Sequence, residues 1–308
     1  MNVQRSSCRE IKRVRPPALR RSWLFVGGAD DAELSKASGS GADVVILELE
    51  DFTAPGMRPV ARAKAAELFD AWRAVGLIAA VRINPLETED GLVDIEAVMR
   101  GRPDAVLLPK VAEPHQVECL DTRVSCLERD LGFPNGSTEL VPNIELARGL
   151  MQTYKICRAS ERVSACLVAS EDMAADLGAE RGPDGLELNY VRERFLLECV
   201  ASDVVAVDCP YTWVNLEGVE RETLHARRLG YKAKSVVNAD HVATINTVLT
   251  PSADEVVYAR EVVSKFETAQ GAGAGRMELN GTLVELPIYL NAKRVIERAE
   301  ALAKYDQG

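Results

Sequence analysis

Short, continuous apolar runs alternate along this chain with longer segments whose apolar residues recur at helical spacing. The runs cover residues 23–26, 44–49, 77–83, 105–108, 140–144, 163–169, 204–207 and 235–237. They are too short for helices and lack the alternation of a half-solvated strand, which predicts parallel strands buried on both faces. Between them, segments such as 60–75, 92–99, 186–201 and 217–229 predict amphipathic helices. Eight strand–helix units in about 220 residues predict an α/β fold, a (β/α)8 TIM-type barrel. A doubly wound open sheet is the competitor. Its glycine fingerprint is absent, since the first turn reads Gly27-Gly28-Ala29-Asp30-Asp31 and not G-x-G-x-x-G, so dinucleotide binding is set aside.

The pattern changes after residue 240. A helix is expected over 253–268, then a Gly/Ala-rich break at 271–275, a short segment at 276–286 and a last helix over 288–304. The division that follows is an N-terminal segment (1–19), a catalytic barrel (20–245) and a C-terminal helical extension (246–308). The extension serves as a lid, an arm over a neighbouring subunit, or both, with the break as hinge.

Composition narrows the function classes. Of 308 residues 47% are hydrophobic and 27% charged, a globular balance. A net charge of −10 argues against nucleic acid or an anionic membrane as the main partner. No apolar run approaches the ~18 residues of a spanning helix. The start is basic (Arg5, Arg9, Lys12, Arg13, Arg15) without an apolar core, so a surface segment is expected there and not a secretory signal. Seven cysteines, an odd number with no C-x-x-C pair, point to a reducing cytoplasm.

Polar or ionisable residues follow almost every apolar run: Glu48, Glu50 and Asp51; Arg82 and Asn84; Lys110; Asn143 and Glu145; Glu171 and Asp172; Asp208; Asn238. In a barrel the carboxyl ends of the strands converge on one face, where catalytic residues sit. Taken singly, Lys110, Asp208 and Asn238 read as well as ordinary loop polarity. Glu145 and Asp172, on adjacent strands, are hard oxygen donors of the kind that hold Mg²⁺. The histidines (His115, His225, His241) do not pair at ligand spacing, so a zinc-type cluster is not expected. Arg82 ends a buried strand and needs a carboxylate partner, either the substrate's or a protein one such as Glu50. Glu50 and Asp51 are equally direct ligands or groups that orient metal-bound waters and Arg82. A divalent metal, an arginine and several carboxylates suggest enolate chemistry at a C–C bond.

These residues fall in a series of motifs that resembles the HpcH/HpaI aldolase and citrate lyase beta-subunit-like family. Arg21-Ser-Trp-Leu-Phe-Val-Gly-Gly28 is similar to the family opening R-S-x-L-F-V-P-G. Val45-Ile-Leu-Glu-Leu-Glu-Asp51 resembles V-I-L-D-L-E-D, and Arg58 with Ala61-Arg62 sits at K-x-x-A-R. Val81-Arg-Ile-Asn84, Leu108-Pro-Lys-Val111, Ile144-Glu-Leu-Ala-Arg-Gly149, Glu171-Asp-Met-Ala-Ala-Asp-Leu-Gly178, Ala206-Val-Asp-Cys-Pro-Tyr211 and Ala226-Arg-Arg-Leu-Gly230 follow in order. The resemblance implies a Mg²⁺-dependent C–C lyase or Claisen-type synthase, acting on a small anionic acyl thioester of coenzyme A and assembled as a homotrimer or hexamer. It implies Glu145 and Asp172 as metal ligands, Arg82 as the arginine binding the carboxylate or oxo group, and Glu50 with Asp51 as the acidic pair near the metal. Arg21, Arg58 and Lys110 are implied to contact the thioester carrier. Gly281-Thr-Leu-Val-Glu-Leu-Pro287 resembles the tail motif G-x-M-I-D-x-P, which makes Glu285 an acid/base supplied from a neighbouring subunit.

Several positions depart from the family pattern: Gly27 for proline, Glu48 for the first aspartate of D-L-E-D, Phe52-Thr53 for a small residue and valine, Val237-Asn238-Ala239 for I-H-P, and Glu285 for aspartate. They leave the metal and enolate groups in place and alter the surroundings of the acyl group. Two other readings stand beside the thioester lyase. One is a class II aldolase for free 4-hydroxy-2-oxo acids. The other is a non-catalytic citrate lyase beta-like subunit.

Overall fold

The computed structural model describes residues 14–306, so the basic positions 5, 9, 12 and 13 lie outside the described residues. Strands β1 (Ser22–Gly27), β2 (Val44–Glu48), β3 (Ile78–Arg82), β4 (Ala105–Leu108), β5 (Glu139–Ile144), β6 (Ala165–Val168), β7 (Val205–Asp208) and β8 (Ala233–Val236) close into a parallel barrel in chain order. Each of the eight apolar runs yields one strand. The last begins two residues earlier than its apolar pattern, because Lys234 is buried in it.

Successive side chains of a strand point to opposite faces, and this parity sorts every residue of the barrel. Trp23, Phe25, Val44, Ile46, Ile78, Leu107 and Val141 point inward. Ala80, Ala105, Ala165 and Ala233 share that interior and leave room for the larger chains. The alternate residues, among them Leu24, Val45, Leu47, Val81 and Val106, meet the helices. That outer layer comprises α1 (Asp31–Ala37), α2 (Arg58–Ala74), α3 (Glu89–Val98), α4 (Pro114–Asp130), the short α5 (Ala147–Leu150), α6 (Thr153–Cys157) and α7 (Glu171–Leu177), then α8 (Asn189–Ala201), α9 (Leu216–Leu229) and α10 (Val242–Leu249). Phe69 and Trp72 of α2 and Phe195 of α8 fill it.

The C-terminal extension is α11 (Ala253–Gly271), an antiparallel hairpin of β9 (Met277–Leu279) and β10 (Thr282–Val284), and α12 (Leu286–Asp306). The first helix runs through Gly271, so the break is confined to residues 272–276. The extension has a small core of its own, built on Val262, Phe266, Leu279 and Val284. The far end of α12 returns to the amino end of the barrel. There Asp306 pairs with Arg15 at 2.8 Å and with Arg21 at 2.9 Å, and Arg298 donates to the carbonyl of Ala18 at 2.6 Å.

Asp208 carries the parity argument furthest. It follows the inward Val207 and therefore faces the helices, away from the barrel interior. Fully buried, it accepts from Arg192 Nε at 2.9 Å and Nη2 at 2.8 Å, and from Lys234 Nζ at 2.6 Å. Burial opposes its charge, but Arg192 and Lys234 more than offset this and hold its carboxyl below the usual range. Its stabilising contribution is therefore present above the unfolded carboxyl pKa and is lost as pH falls through the depressed folded value. Asp208→Asn leaves two buried cations short of a partner. We expect it to destabilise the fold by about 3–5 kcal/mol in chemical denaturation. A loss under about 1 kcal/mol would show that the pair does not brace the barrel.

Candidate active site at the carboxyl end of the barrel

Glu48 and Arg82 are register partners on adjacent strands, and both face inward at the carboxyl end. Their side chains meet there, with Arg82 Nε donating to Glu48 Oε1 at 2.8 Å. Glu48 also accepts the backbone N–H of Glu50 at 2.7 Å and of Phe52 at 2.6 Å. One buried carboxylate thus folds the turn after β2 and anchors the arginine. Thr53 Oγ1 locks the same turn by accepting the N–H of Gly28 at 2.8 Å. A side chain at Gly28 would put its Cβ 2.6 Å from the Cβ of Ala61, so only glycine lets the first loop approach this closely.

From this anchor the guanidinium reaches Glu50 at 3.4 Å, Glu145 at 3.6 Å and Asp51 at 3.7 Å. It lies 5.1 Å from the ring centre of Phe25 and 5.8 Å from that of Phe52. Burial disfavours its charge, but Glu48, Glu145 and Glu50 outweigh it and raise its pKa, so it stays a cation. Lys110 donates to Glu50 at 2.6 Å. Its backbone has φ +53°, an uncommon region for a non-glycine residue. Arg58, at the start of α2, donates to the carbonyl of Glu50 at 3.2 Å and pairs with Asp90 at 2.5 Å.

Glu145 continues the inward parity of β5 one residue past the strand and is fully buried. Among the described residues neither of its carboxylate oxygens has a hydrogen-bond partner. Burial pushes its pKa up to about 8, offset in part by Arg82 and reinforced by Glu50 and Asp172. Oε2 of Glu50 and both amide atoms of Asn143 are buried and unpartnered as well. Buried polar atoms are normally satisfied, so such a group points to a ligand. Asp172, half-buried in the first turn of α7, lines a cavity of about 310 Å³ with Phe25, Phe52, Arg82, Leu167 and Val237. Five carboxylates (Glu48, Glu50, Asp51, Glu145, Asp172) gather against two cations, Arg82 and Lys110. An oxygen-rich, over-acidic pocket with free carboxylate oxygens fits a hard divalent cation.

The structure thus brings Arg82, Glu50, Asp51, Lys110, Arg58, Glu145 and Asp172 to one end. One expected residue is not there. Arg21 immediately precedes β1 at the opposite end, where its Nε meets Asp43 at 2.9 Å, so it braces the amino face and does not line the cavity. Glu285 is exposed on the C-terminal extension and does not line the cavity. Two flagged positions resolve as structural: Asp208 faces the helices, and Asn238 caps a turn by accepting the N–H of Asp240 at 3.0 Å. Glu48 is the closest partner of Arg82, a place sequence reasoning assigned to Glu50. The signal was available, because Glu48 shares the inward parity of Val44 and Ile46.

The family model of the HpcH/HpaI aldolase/citrate lyase proteins matches residues 21–239. The chain belongs to that family. It is 34% identical to the citrate lyase beta subunit of Escherichia coli over 91% of this chain and 93% of the relative. It is 25% identical to the mitochondrial citramalyl-CoA lyase of Mus musculus over 92% and 87%. Among solved structures, CitE of Mycobacterium tuberculosis, in complex with magnesium, acetoacetate and coenzyme A, is 26% identical. It superposes with a TM-score of 0.74 over 92% of this chain and 99% of that one. This member of the family is a lyase of the citrate lyase beta-subunit type.

Glu48→Gln keeps the shape of the side chain and removes the charge that orients Arg82. We expect kcat/KM of the lyase reaction to fall by about 10–100-fold with circular dichroism unchanged. Unaltered kinetics would show that Arg82 is held by its other neighbours.

Proposed function

We propose that this lyase cleaves, or forms, the C–C bond of a β-hydroxy acyl thioester, with Mg²⁺ held by Glu145 and Asp172 and a small 2-oxo acid as the second product. The observation that carries the reading is the unpartnered, fully buried Glu145 carboxylate 3.6 Å from Arg82. When bound there, Mg²⁺ supplies Lewis-acid polarisation of the oxo oxygen. Arg82 binds the substrate carboxylate or oxo group, and its fixed charge meets negative charge as it develops on the enolate oxygen. Glu48 positions Arg82, and Glu50 with Asp51 keeps it and Lys110 in place. Lys110 and Arg58 face the anionic carrier from the rim. Phe25 and Phe52 supply an aromatic wall beside the reacting carbons.

A proton must leave the hydroxyl and one must reach the enolate carbon. We assign that exchange to Glu285 of a neighbouring copy, in a homotrimer or a hexamer built from it. The C-terminal extension supports this assignment. Leu283, Leu286 and Leu290 are 50%, 52% and 42% exposed around Glu285, an apolar face suited to docking on another chain.

One observation favours a second reading, a class II aldolase for free 4-hydroxy-2-oxo acids. Of the three cations assigned to the carrier, Arg21 stands at the wrong end. Calorimetry separates the two readings. Coenzyme A binding at micromolar to millimolar levels supports the thioester, and oxo-acid binding alone supports the free acid.

Mg²⁺ titrations of Glu145→Gln and Asp172→Asn are expected to show affinity weakened at least 10-fold. Wild-type affinity in both would overturn the ligand assignment. Glu285→Gln and Glu145→Gln are each expected to be inactive alone. After subunit exchange the mixture should recover activity, because some sites then carry neither change. No recovery despite demonstrated exchange would place both residues in one chain's site, or Glu285 in none.

A further inference from the structure

Cys157, Cys166 and Cys199 come from three different elements and meet at one point. Cys157 ends α6, Cys166 is an outward residue of β6, and Cys199 lies in α8. Their sulphur atoms all lie within 4.8 Å of one another. They are 2%, 0% and 0% exposed, packed in the layer between barrel and helices, away from the carboxyl-end cavity. All three are free thiols, and Cys166 donates its S–H to the carbonyl of Pro142 at 3.2 Å. No histidine or carboxylate joins the set among the described residues.

The donor number and the dryness of the site decide what it can take. Zinc in a structural site is four-coordinate, and only three sulphurs are present. Zn²⁺ with three thiolates would also leave one negative charge in a dry interior, and Cu⁺ would leave two, each at a large desolvation cost. A trivalent thiophile leaves none. We propose that Cys157, Cys166 and Cys199 form a binding site for a trivalent thiophile of the arsenic(III) class, taken up as neutral arsenous acid. Three S–H bonds and three As–O bonds break, three As–S bonds form, and three water molecules leave. Arsenic stays trivalent, so no oxidant or reductant is needed, and both ligand and product are neutral. The site is independent of the lyase chemistry.

Entry to thiols this buried requires local opening, so loading is slow on the native protein and fast during refolding. The full-length chain is incubated with arsenite, both natively and while refolding from denaturant, with a phosphine as reductant so that no competing thiol is present. The expected result is one arsenic per chain after gel filtration. X-ray absorption should show three sulphur neighbours, and Tm should rise by several degrees because one atom now ties three elements together. Cys157→Ser is expected to lose at least nine-tenths of the bound arsenic, whereas Cys119→Ser and Cys126→Ser, on the outer helix α4, retain it. Should Cys157→Ser fail to fold, the coordination of the wild-type adduct decides alone. Failure to load by either route, an adduct with two sulphurs, or retention in a folded Cys157→Ser protein each overturns the proposal.

Discussion

The pairing of Glu48 with Arg82 organises the carboxyl end of the barrel. A guanidinium at 6% exposure, beside three buried carboxylates, persists only because their geometry is fixed before any ligand arrives. The fixing is done by backbone: strand register sets the two side chains side by side, and the N–H groups of Glu50 and Phe52 clamp the Glu48 carboxylate. Arg82 in turn partly offsets the cost of burying Glu50 and Glu145. Removing the glutamate's charge would release an arginine into a pocket where every neighbour depends on it. This is preorganisation of the kind that electrostatic catalysis requires, with charge placed before it is needed.

The same register explains what could be read from residues alone. Each apolar run became a strand because a strand covered on both faces leaves a continuous apolar signature. Helix positions followed from their spacing, with errors of a few residues at the ends. The clustering of polar residues at strand ends was visible too, and it brought Arg82, Glu145, Asp172 and Lys110 to one face. Parity was harder to see, because a buried run shows apolar residues on both sides. Asp208 and Glu48 look alike in the sequence, each an acid at a strand end. One faces helix α8 and the other faces the barrel interior. Arg21 misled for a related reason: it opens a motif whose glycines reach the carboxyl end, but it sits at the other end of the strand itself.

Two of the departures from the family pattern face the cavity. Phe52 and Val237 line the cavity, whereas Asn238 is turned away as a cap. Phe25, Phe52, Leu167 and Val237 thus give the cavity beside Arg82 an aromatic and aliphatic wall. The C-terminal extension keeps its own core and ties its last turn to the amino end of the barrel. Its exposed leucines and Glu285 lie outside the cavity of their own chain.

The central claim is a divalent cation between Glu145 and Asp172, in front of Arg82. Crystals soaked with Mn²⁺ as a Mg²⁺ surrogate test it directly, because the anomalous signal locates the ion without reference to activity. The account expects one strong peak in the cavity within about 2.0–2.3 Å of a carboxylate oxygen from each residue. A peak elsewhere, or none at saturating Mn²⁺, would contradict it.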